Sequence, residues 1–497
     1  TGVSVGVAVE SNTADVKIGQ GVALTAKKDL DITAKSVIQD TQMQITGKSN
    51  NYDKDTSNKA LVNASVLYSK LDNTATVTVA GGEEAKGSTP ATNVTLTGGK
   101  VNIAANSSFE YNRINRMVQE VKDACAKVKK AYTDDNEINA KADALSTAAD
   151  AFFNYAKDNC FSSTSEEKVD FMDLFGGQKF KDFTAACSAL TSALGSEATD
   201  IAVGPINVVS AAAAFANPNS YLNFSAGSAN GGKSGPGEHE KPATIALAGS
   251  AVATDLGNNA RVLIGKNANI KAGNELAMKA ASKQFDVSLA GKLGLNGGGE
   301  NAAGGTFAVG LADANSLVAV AQGTKLTAGS IDIGTENKID HIQLSLGAGK
   351  GATSGVSGMV GYLEGASNSL VSVDDEAVIN AGKGAVNLNA KNDTNVYSAA
   401  GAVAMGETAG IGVAATITNF DRYTYAAIGD NGYTAPPQVT TEQGESGSDS
   451  GDTSTTLGED ANADRSQEAE KLANTAAEKR ATLQQLVQNA SGLRQGT

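Results

Sequence analysis

Aromatic side chains are scarce in this chain, and tryptophan is absent. Aromatic residues make up 5% of the 497 positions, whereas glycine occurs 55 times. A globular enzyme of this length normally fills its close-packed core with larger side chains. The composition favours a solenoid instead, because a solenoid grows along its axis while each repeat contacts only its neighbours. We expect a core of stacked Val, Ile, Leu and Ala residues.

Basic residues are in the minority, and long hydrophobic runs are missing. The formal net charge of −14 disfavours binding to nucleic acid or to an anionic membrane. No stretch of about 18 apolar residues occurs, so the sequence predicts no membrane-spanning segment. The chain begins without Met or a signal peptide, and its first residues resemble in phase the stretch that starts at Ala409. We therefore expect an excised piece of a longer repetitive polypeptide.

Histidine is nearly absent, which limits the chemistry that the chain can support. Two histidines, His239 and His341, do not suffice for a histidine-based metal cluster, and no Ser-His-Asp triad can be assembled around them. We interpret both as surface residues. The acids at Glu83–Glu84 and Asp374–Glu376 are expected at solvated corners. We predict no catalytic residue, no cofactor, no cofactor-binding residue and no metal ligand, and hence that the protein is not an enzyme.

Cysteine is rare as well, and its three copies share one region. Cys125, Cys160 and Cys187 all lie in a stretch with helical periodicity. In an extracellular protein, one disulfide among them is possible, with one thiol left over. The sequence does not choose the pairing. The alternative is that Cys125 and Cys187 are small buried residues on helix faces.

A recurring phrase organises the rest of the chain. It runs from Val262 to Ala280 as three short apolar stretches, VLI, ANIKA and ELAMKA, separated by Gly or Asn, and returns from Val16, Val77, Val318 and Val371. Because Gly and Asn tolerate left-handed backbone, we interpret the phrase as strand, corner, strand, corner, strand of one solenoid coil. We expect Gly273 and Gly382 to occupy such left-handed corners.

Longer alternating stretches follow each copy of the phrase. In the unit from Val262 the apolar residues carry odd numbers and so share one face of a strand, with GGGENAAGG (297–305) as a turn between two strands. The copies are 56, 53 and 61 residues apart, which exceeds a short coil. We predict one short coil per unit, with a longer strand pair flanking or extending from it. The alternating residues are Phe285, Val287, Leu289, Leu293 and Leu295, then Phe307, Val309 and Leu311.

The predicted fold class is mainly β: a repetitive parallel β-helix rod with an inserted α-helical bundle and a C-terminal helix. The helical stretch begins near Ser108, where apolar residues such as Val121 and Val128 recur at helical spacing. The predicted segments are solenoid repeats at 1–107, the helical insert at 108–200, further repeats at 201–430 with a loop at 227–242, an acidic flexible linker at 431–460, and an amphipathic helix at 461–497.

The phrase has the form x-V-x-I/V-G-x-x-A-x-I/L-x-A-G-x-x-L-x-I/M-x-A and precedes Gly/Ala-rich alternating strands. This pattern resembles the passenger regions of large bacterial filamentous surface proteins: the filamentous-haemagglutinin-type adhesins and, more closely, the leukotoxin-like filamentous adhesins of anaerobic bacteria. The resemblance covers roughly residues 1–107 and 243–430. It implies a right-handed rod, exported by a type V autotransporter or two-partner pathway and located extracellularly or on the bacterial cell surface. The helical insert would protrude sideways from this rod.

Three functions fit these observations. The first is a structural and adhesive segment that mediates attachment or filament formation, with a host or neighbouring cell surface, matrix, a glycan or copies of itself as partner. The second is a passenger segment of a leukotoxin-like cytotoxin, although no basic amphipathic membrane-binding stretch is evident. The third is a polysaccharide-active β-helix enzyme, which would need acidic or basic residues from successive coils in one groove. We expect the first, with neither nucleic acid nor a membrane span involved.

Overall fold

The structure is a computed structural model. It describes residues 2–39, 41–50, 60–83, 92–110, 113–159, 177–194, 202–203, 206–207, 222–231, 243–291 and 297–429. All of these residues belong to one compact unit. The predicted linker at 431–460, the predicted C-terminal helix at 461–497, His239 and Cys160 lie outside the described residues.

The described part of the chain contains long strands and a group of three helices. The helices are α1 (Arg113–Ala131), α2 (Asn136–Asn159) and α3 (Gln178–Leu194). The strands are β1 (Gly2–Ile18), β2 (Ala23–Thr25), β3 (Asp29–Gln39), β4 (Met43–Asn50), β5 (Ala60–Val79), β6 (Thr95–Glu110), β7 (Ala202–Val203), β8 (Ile206–Asn207), β9 (Phe224–Gly231), β10 (Ala243–Ile264), β11 (Asn269–Gly291), β12 (Gly297–Val320), β13 (Lys325–Thr327), β14 (Ser330–Val373), β15 (Val378–Asn380), β16 (Val386–Met405) and β17 (Ala409–Ile428).

All strands except the antiparallel pair β7–β8 pair in parallel and wind into coils with three walls. Wall A contains β1, β5, β10, β12, residues 354–373 of β14, and β17. Wall B contains β3, residues 100–110 of β6, 275–291 of β11, 330–350 of β14, and β16, and it is extended by β4 and β9. A short wall joins them through β2, residues 95–97, residues 269–271, β13 and β15. The predicted β-solenoid with a helical insert is confirmed.

The repeated phrase stacks in register from coil to coil. Val16 pairs with Val77, which pairs with Val262, and the same column continues through Val318 and Val371. The last four of these valines are fully buried. Strands of one sheet lie about 4.8 Å apart, so each valine contacts its equivalents above and below. One full coil therefore takes the same number of residues as the interval between neighbouring copies of the phrase, which is 61, 56 or 53.

Two details of the predicted coil were wrong. The three short stretches do not form a coil of their own, because VLI ends β10, ANIKA supplies the short wall and ELAMKA begins the wall B part of β11. One coil instead takes the whole interval between copies of the phrase. The glycine-rich stretch 297–305 is the beginning of β12 rather than a turn, since backbone hydrogen bonds to its neighbours in wall A hold it extended.

The interior between walls A and B has two apolar compartments with a polar row between them. One compartment holds the valine column and its neighbours, and the other contains residues such as Leu67, Leu256 and Phe224. We call the row between them the polar seam. Its wall A members are Asn12, Asn73, Asn258, Ala314 and Ser367, and its wall B members are Ser36, Ser107, Ser282, Asn337 and Asn392.

Hydrogen bonds cross the seam from wall to wall. Ser36 Oγ donates to Asn73 Oδ1 over 2.6 Å, and Asn73 Nδ2 donates to Asn258 Oδ1 in the next coil over 3.1 Å. The side-chain Nδ2 of Asn337 donates hydrogen bonds to the backbone carbonyl oxygens of Ala314 and Asn368. Buried amides are costly unless they are paired. A shift of one strand by one residue would turn these side chains outward and break the bonds, so the seam specifies the register.

Left-handed backbone occurs at one repeated corner. Asn267, Gly323 and Glu376 stand 56 and 53 residues apart and have φ of 59°, 70° and 55°. Gly382 also has a positive φ of 60°, as predicted, whereas the prediction for Gly273 was wrong. Gly273 lies where the register between β6 and β11 shifts between Ala272 and Glu275. This irregularity turns the chain without left-handed backbone. The acids Asp374–Glu376 lie exposed at this repeated corner, as expected.

The two glycines make a matched pair for a stability test. Gly382→Ala places a Cβ in left-handed backbone and should lower the free energy of unfolding by about 1–2 kcal/mol. Gly273→Ala should have a much smaller effect, because its φ is not left-handed and the nearest atom to an added Cβ is 3.6 Å away. Denaturant unfolding of both variants measures the difference. Equal losses of stability would contradict the corner assignment.

Candidate functional site

The helical insert leaves and re-enters the solenoid within one stretch of wall B. Phe109, near the end of β6, pairs with Gln284 of β11, and Phe224, at the start of β9, pairs with Ser288. Only three residues of β11 separate Gln284 from Ser288, whereas residues 110–223 separate their partners. The insert therefore begins after residue 109 and the wall resumes at 224. The chain departs here from the predicted boundaries of 108–200 for the insert and 227–242 for a loop, since residues 227–231 belong to β9.

Asn223 secures the point of return. Its backbone N–H donates to the carbonyl of Val287, and its side-chain Oδ1 accepts from the Val287 N–H over 2.9 Å. On the other side, its Nδ2 donates to the carbonyl of Thr41 and its own carbonyl accepts from the Met43 N–H. Asn223 thus bonds to the coil above and to the coil below. Sequence reasoning missed this residue, since an isolated Asn before an alternating stretch carries no distinctive signal.

The helices pack as their apolar periodicity predicts. Val121, Val128, Leu145, Phe152 and Leu190 are all essentially buried in one hydrophobic cluster. Two ion pairs join α1 to α2: Lys122 with Asp150 at 2.9 Å and Lys129 with Asp143 at 2.8 Å. The helix α2 starts at Asn136. Asp135 caps it, because its Oδ1 accepts from the N–H groups of residues 137 and 138.

The bundle shares its core with the outer face of wall B. Val287, Leu289 and Leu344 point away from the solenoid interior and belong to the same cluster as the helix residues. Phe285, Ile342 and Leu346 pack against that cluster. The alternation in the sequence was right that Phe285, Val287 and Leu289 share a face, and the bundle covers that face. Leu293 and Leu295 lie outside the described residues, and Phe307, Val309 and Leu311 belong to wall A, away from the bundle. Burial of this apolar surface holds the bundle against the outer face of wall B.

Cys125 and Cys187 are both free thiols in this bundle. Burial raises the pKa of Cys125 to about 11, with the nearby Asp143 carboxylate as a smaller cause. Burial likewise raises the pKa of Cys187 to about 12, and the charge of Cys125 adds to it. Both effects disfavour the thiolate. Because Cys160 lies outside the described residues, a disulfide that includes it stays a prediction.

A buried Asp-His pair lies inside wall B next to the insertion point. His341 is fully buried, which corrects its interpretation as a surface residue. Its Nδ1 is 2.6 Å from Oδ2 of Asp286, the residue beneath it in the column. The two atoms are close, but the geometry is not that of an aligned hydrogen bond. Asp286 Oδ1 accepts a bond of 3.1 Å from Gln284 Nε2.

The alternation of β11 could have revealed this pair. Inward positions of β11 carry even numbers, and Asp286 falls between the buried polar residues Gln284 and Ser288. On wall A, Gly310 makes room for the facing side chains, since a Cβ there would lie 3.0 Å from His341 Nε2 and closer still to Gln343 Oε1. A small cavity of about 20 Å³ adjoins Asp286 and is lined by both ends of the insert at Glu110 and Asn223. It has room for little more than a water molecule.

The buried pair should respond differently to single and double substitution. Asp286→Val removes the polar partner of a fully buried histidine and should cost about 3 kcal/mol of unfolding free energy, because the imidazole stays buried without it. Val396 already occupies the same column one coil further on. The double variant Asp286→Val/His341→Val should therefore be close to the wild type in stability. Denaturant unfolding of both variants measures this, and a double variant no more stable than the single one would contradict the coupling.

The two described thiols should react slowly in the folded protein. In a Cys160→Ser background at pH 8, iodoacetamide should alkylate Cys125 about 100-fold and Cys187 about 1000-fold more slowly than a thiol of ordinary pKa, since only the thiolate reacts. The rates should rise with pH up to the raised pKa values. Mass spectrometry of labelled peptides follows each site, and urea-unfolded protein provides the control. Equal rates before and after unfolding would contradict the burial of the thiols.

Among the described residues, none of the helices has the length and apolar character needed to cross a membrane. The same part of the chain holds no group of three His, Cys, Asp or Glu side chains placed to bind a metal ion. Comparisons with protein-family models, curated proteins and solved structures found no match to the chain.

Proposed function

We propose that this chain is a structural and adhesive segment of a large repetitive bacterial cell-surface or secreted filamentous protein, without catalytic activity. The solenoid serves as a spacer, and the helical bundle presents a binding surface for a host or neighbouring cell, for matrix or for a glycan. The protein mediates attachment or filament formation outside the cell.

The observation that carries the proposal is the in-register stacking of coils with a helical module attached to one wall. Each added coil lengthens such a stack by about 4.8 Å without disturbing the others. The bundle lies on the outer face of wall B through Val287, Leu289 and Leu344. Its remaining surface carries exposed polar residues such as Lys127 and Lys130. A module in this position is supported by the rigid wall and remains accessible to a partner.

The buried pair Asp286–His341 does not favour the enzyme alternative. Both side chains are at most 5% exposed, so a polysaccharide could not reach them. The repeated corners instead present exposed acids such as Asp374 and Asp375. The proposal therefore retains the resemblance to filamentous adhesins as its support for an extracellular location and for type V export.

Cell binding tests the proposal. The purified chain should bind epithelial cells saturably, and a variant in which Ser-Gly-Ser replaces residues 110–223 should lose at least about tenfold in affinity. Three residues suffice because β11 spans the same gap with Phe285, Asp286 and Val287. Val287→Ser and Leu344→Ser accompany the deletion, since they would otherwise leave apolar surface uncovered. Flow cytometry with labelled protein measures binding.

The control keeps the bundle and carries only substitutions of exposed solenoid residues, Lys271→Glu and Lys325→Glu. Its binding should equal that of the wild type. Both variants must retain the cooperative thermal unfolding of the solenoid. Cleavage of a polysaccharide panel, lysis of leukocytes, or cell binding that survives removal of the bundle would each contradict the proposed role.

A further inference from the structure

The outer face of wall A carries a broad surface without charged side chains. Four adjacent outward rows run across the strands, and the members of each row pair from coil to coil. We call this surface the apolar face. Its rows are Val62, Leu247, Ala303, Val356 and Ile411; Ala64, Gly249, Gly305, Gly358 and Val413; Val66, Ala251, Phe307, Val360 and Ala415; and Tyr68, Ala253, Val309, Tyr362 and Ile417. Val3, Val5 and Val7 extend the last three rows into β1.

Large apolar side chains of this face are exposed. Leu247, Phe307 and Val356 belong to three successive coils and are 40%, 45% and 47% exposed. Charge returns only in the next row, which includes Lys70, Asp255 and Glu364. Contiguous apolar surface with a polar rim is typical of an interaction site. Single exposed valines would carry no such meaning.

The apolar face is not flat, because one of its rows has glycine on three adjacent strands. The second row contains Gly249, Gly305 and Gly358, and an added Cβ would meet nothing closer than 3.9 Å at any of them. This row forms a shallow groove, with Leu247 and Val356 on one side and Phe307 and Val360 on the other. Such ridges and grooves fit a second surface of the same kind, as the facing sheets of a β-sandwich do.

The area suits a second copy of the chain. Four rows spaced about 6.7 Å apart on six strands about 4.8 Å apart cover about 750 Å². A standard protein–protein interface takes about 800 Å² from each partner. Two such faces can meet about a twofold axis, because each is uncharged and presents both ridges and a groove to the other.

Wall B offers an internal comparison. Its outer face also carries apolar side chains that point away from the solenoid interior. These are Val287, Leu289 and Leu344, and the helical bundle covers them. In wall A, no helix or strand that the structure describes covers the corresponding outward apolar residues, and Leu247, Phe307 and Val356 are exposed. We propose that the apolar face of wall A binds the apolar face of a second copy of this chain, sheet against sheet. The inference rests on the proposed function, because it names the surface through which two copies of the proposed filamentous protein would associate.

Sedimentation velocity over a range of protein concentrations tests this inference. The wild-type chain should reach twice its mass of 50.2 kDa. The double variant Leu247→Glu/Phe307→Glu should weaken dimerisation by about 100-fold or more, since each dimer would bury unpaired carboxylates. Both positions are exposed in the single chain, so the variant should fold as the wild type does. The matched control, Val378→Glu/Val386→Glu, changes exposed valines outside the face and should dimerise normally.

Three outcomes would overturn the inference: a monomer at every concentration, a dimer unaffected by the face variant, or equal weakening by the control. Sedimentation with phosphatidylcholine vesicles distinguishes lipid binding from dimerisation. A monomer that binds vesicles through Leu247 and Phe307 would assign the face to lipid. The epithelial binding assay separates this inference from the proposed function. A monomer that still binds cells through its bundle retains the proposed function, whereas a face-dependent dimer that binds no cells retains only the inference.

Discussion

Every feature of the solenoid depends on parallel pairing in one register. The backbone hydrogen bonds between coils place each side chain directly above and below its equivalents, so equivalent positions form continuous columns. The valine column from Val16 to Val371 is the apolar result, and the polar seam around Asn73, Asn258 and Asn337 is the polar one. The first contributes burial and the second contributes specificity. A register shift would sacrifice both at once.

The register of wall A was predictable from the sequence, because the number of residues between copies of the phrase equals the offset between paired strands. Copies of the phrase are separated by 61, 56 and 53 residues, and these are the offsets at which the strands pair. The size of the coil was not predictable in the same way. Short apolar stretches broken by Gly and Asn suit a small coil as well as a corner of a large one. Only the hydrogen bonds of wall A show that the following strands belong to the same turn.

Alternation predicted which neighbouring residues share a face of a strand, but not whether that face is covered. The odd-numbered residues Phe285, Val287 and Leu289 do share a face, yet the pattern could not say that helices cover it. His341 was misjudged because its residue type suggested a surface position, while its place in the column above Asp286 puts it inside. Asn223 left no signal, because its role arises from two coils that are distant in sequence. Such contacts come from topology and not from local pattern.

The narrow opening in wall B has a consequence for how such a protein can diversify. Strands of the coils on either side hold the backbones of Phe109 and Phe224 about 13 Å apart, because their partners on β11 are four residues apart. The two attachment points are thus fixed by the solenoid, whereas the inserted domain is free to change. A different folded domain whose ends lie at that separation could replace the helices while the coils above and below kept their positions.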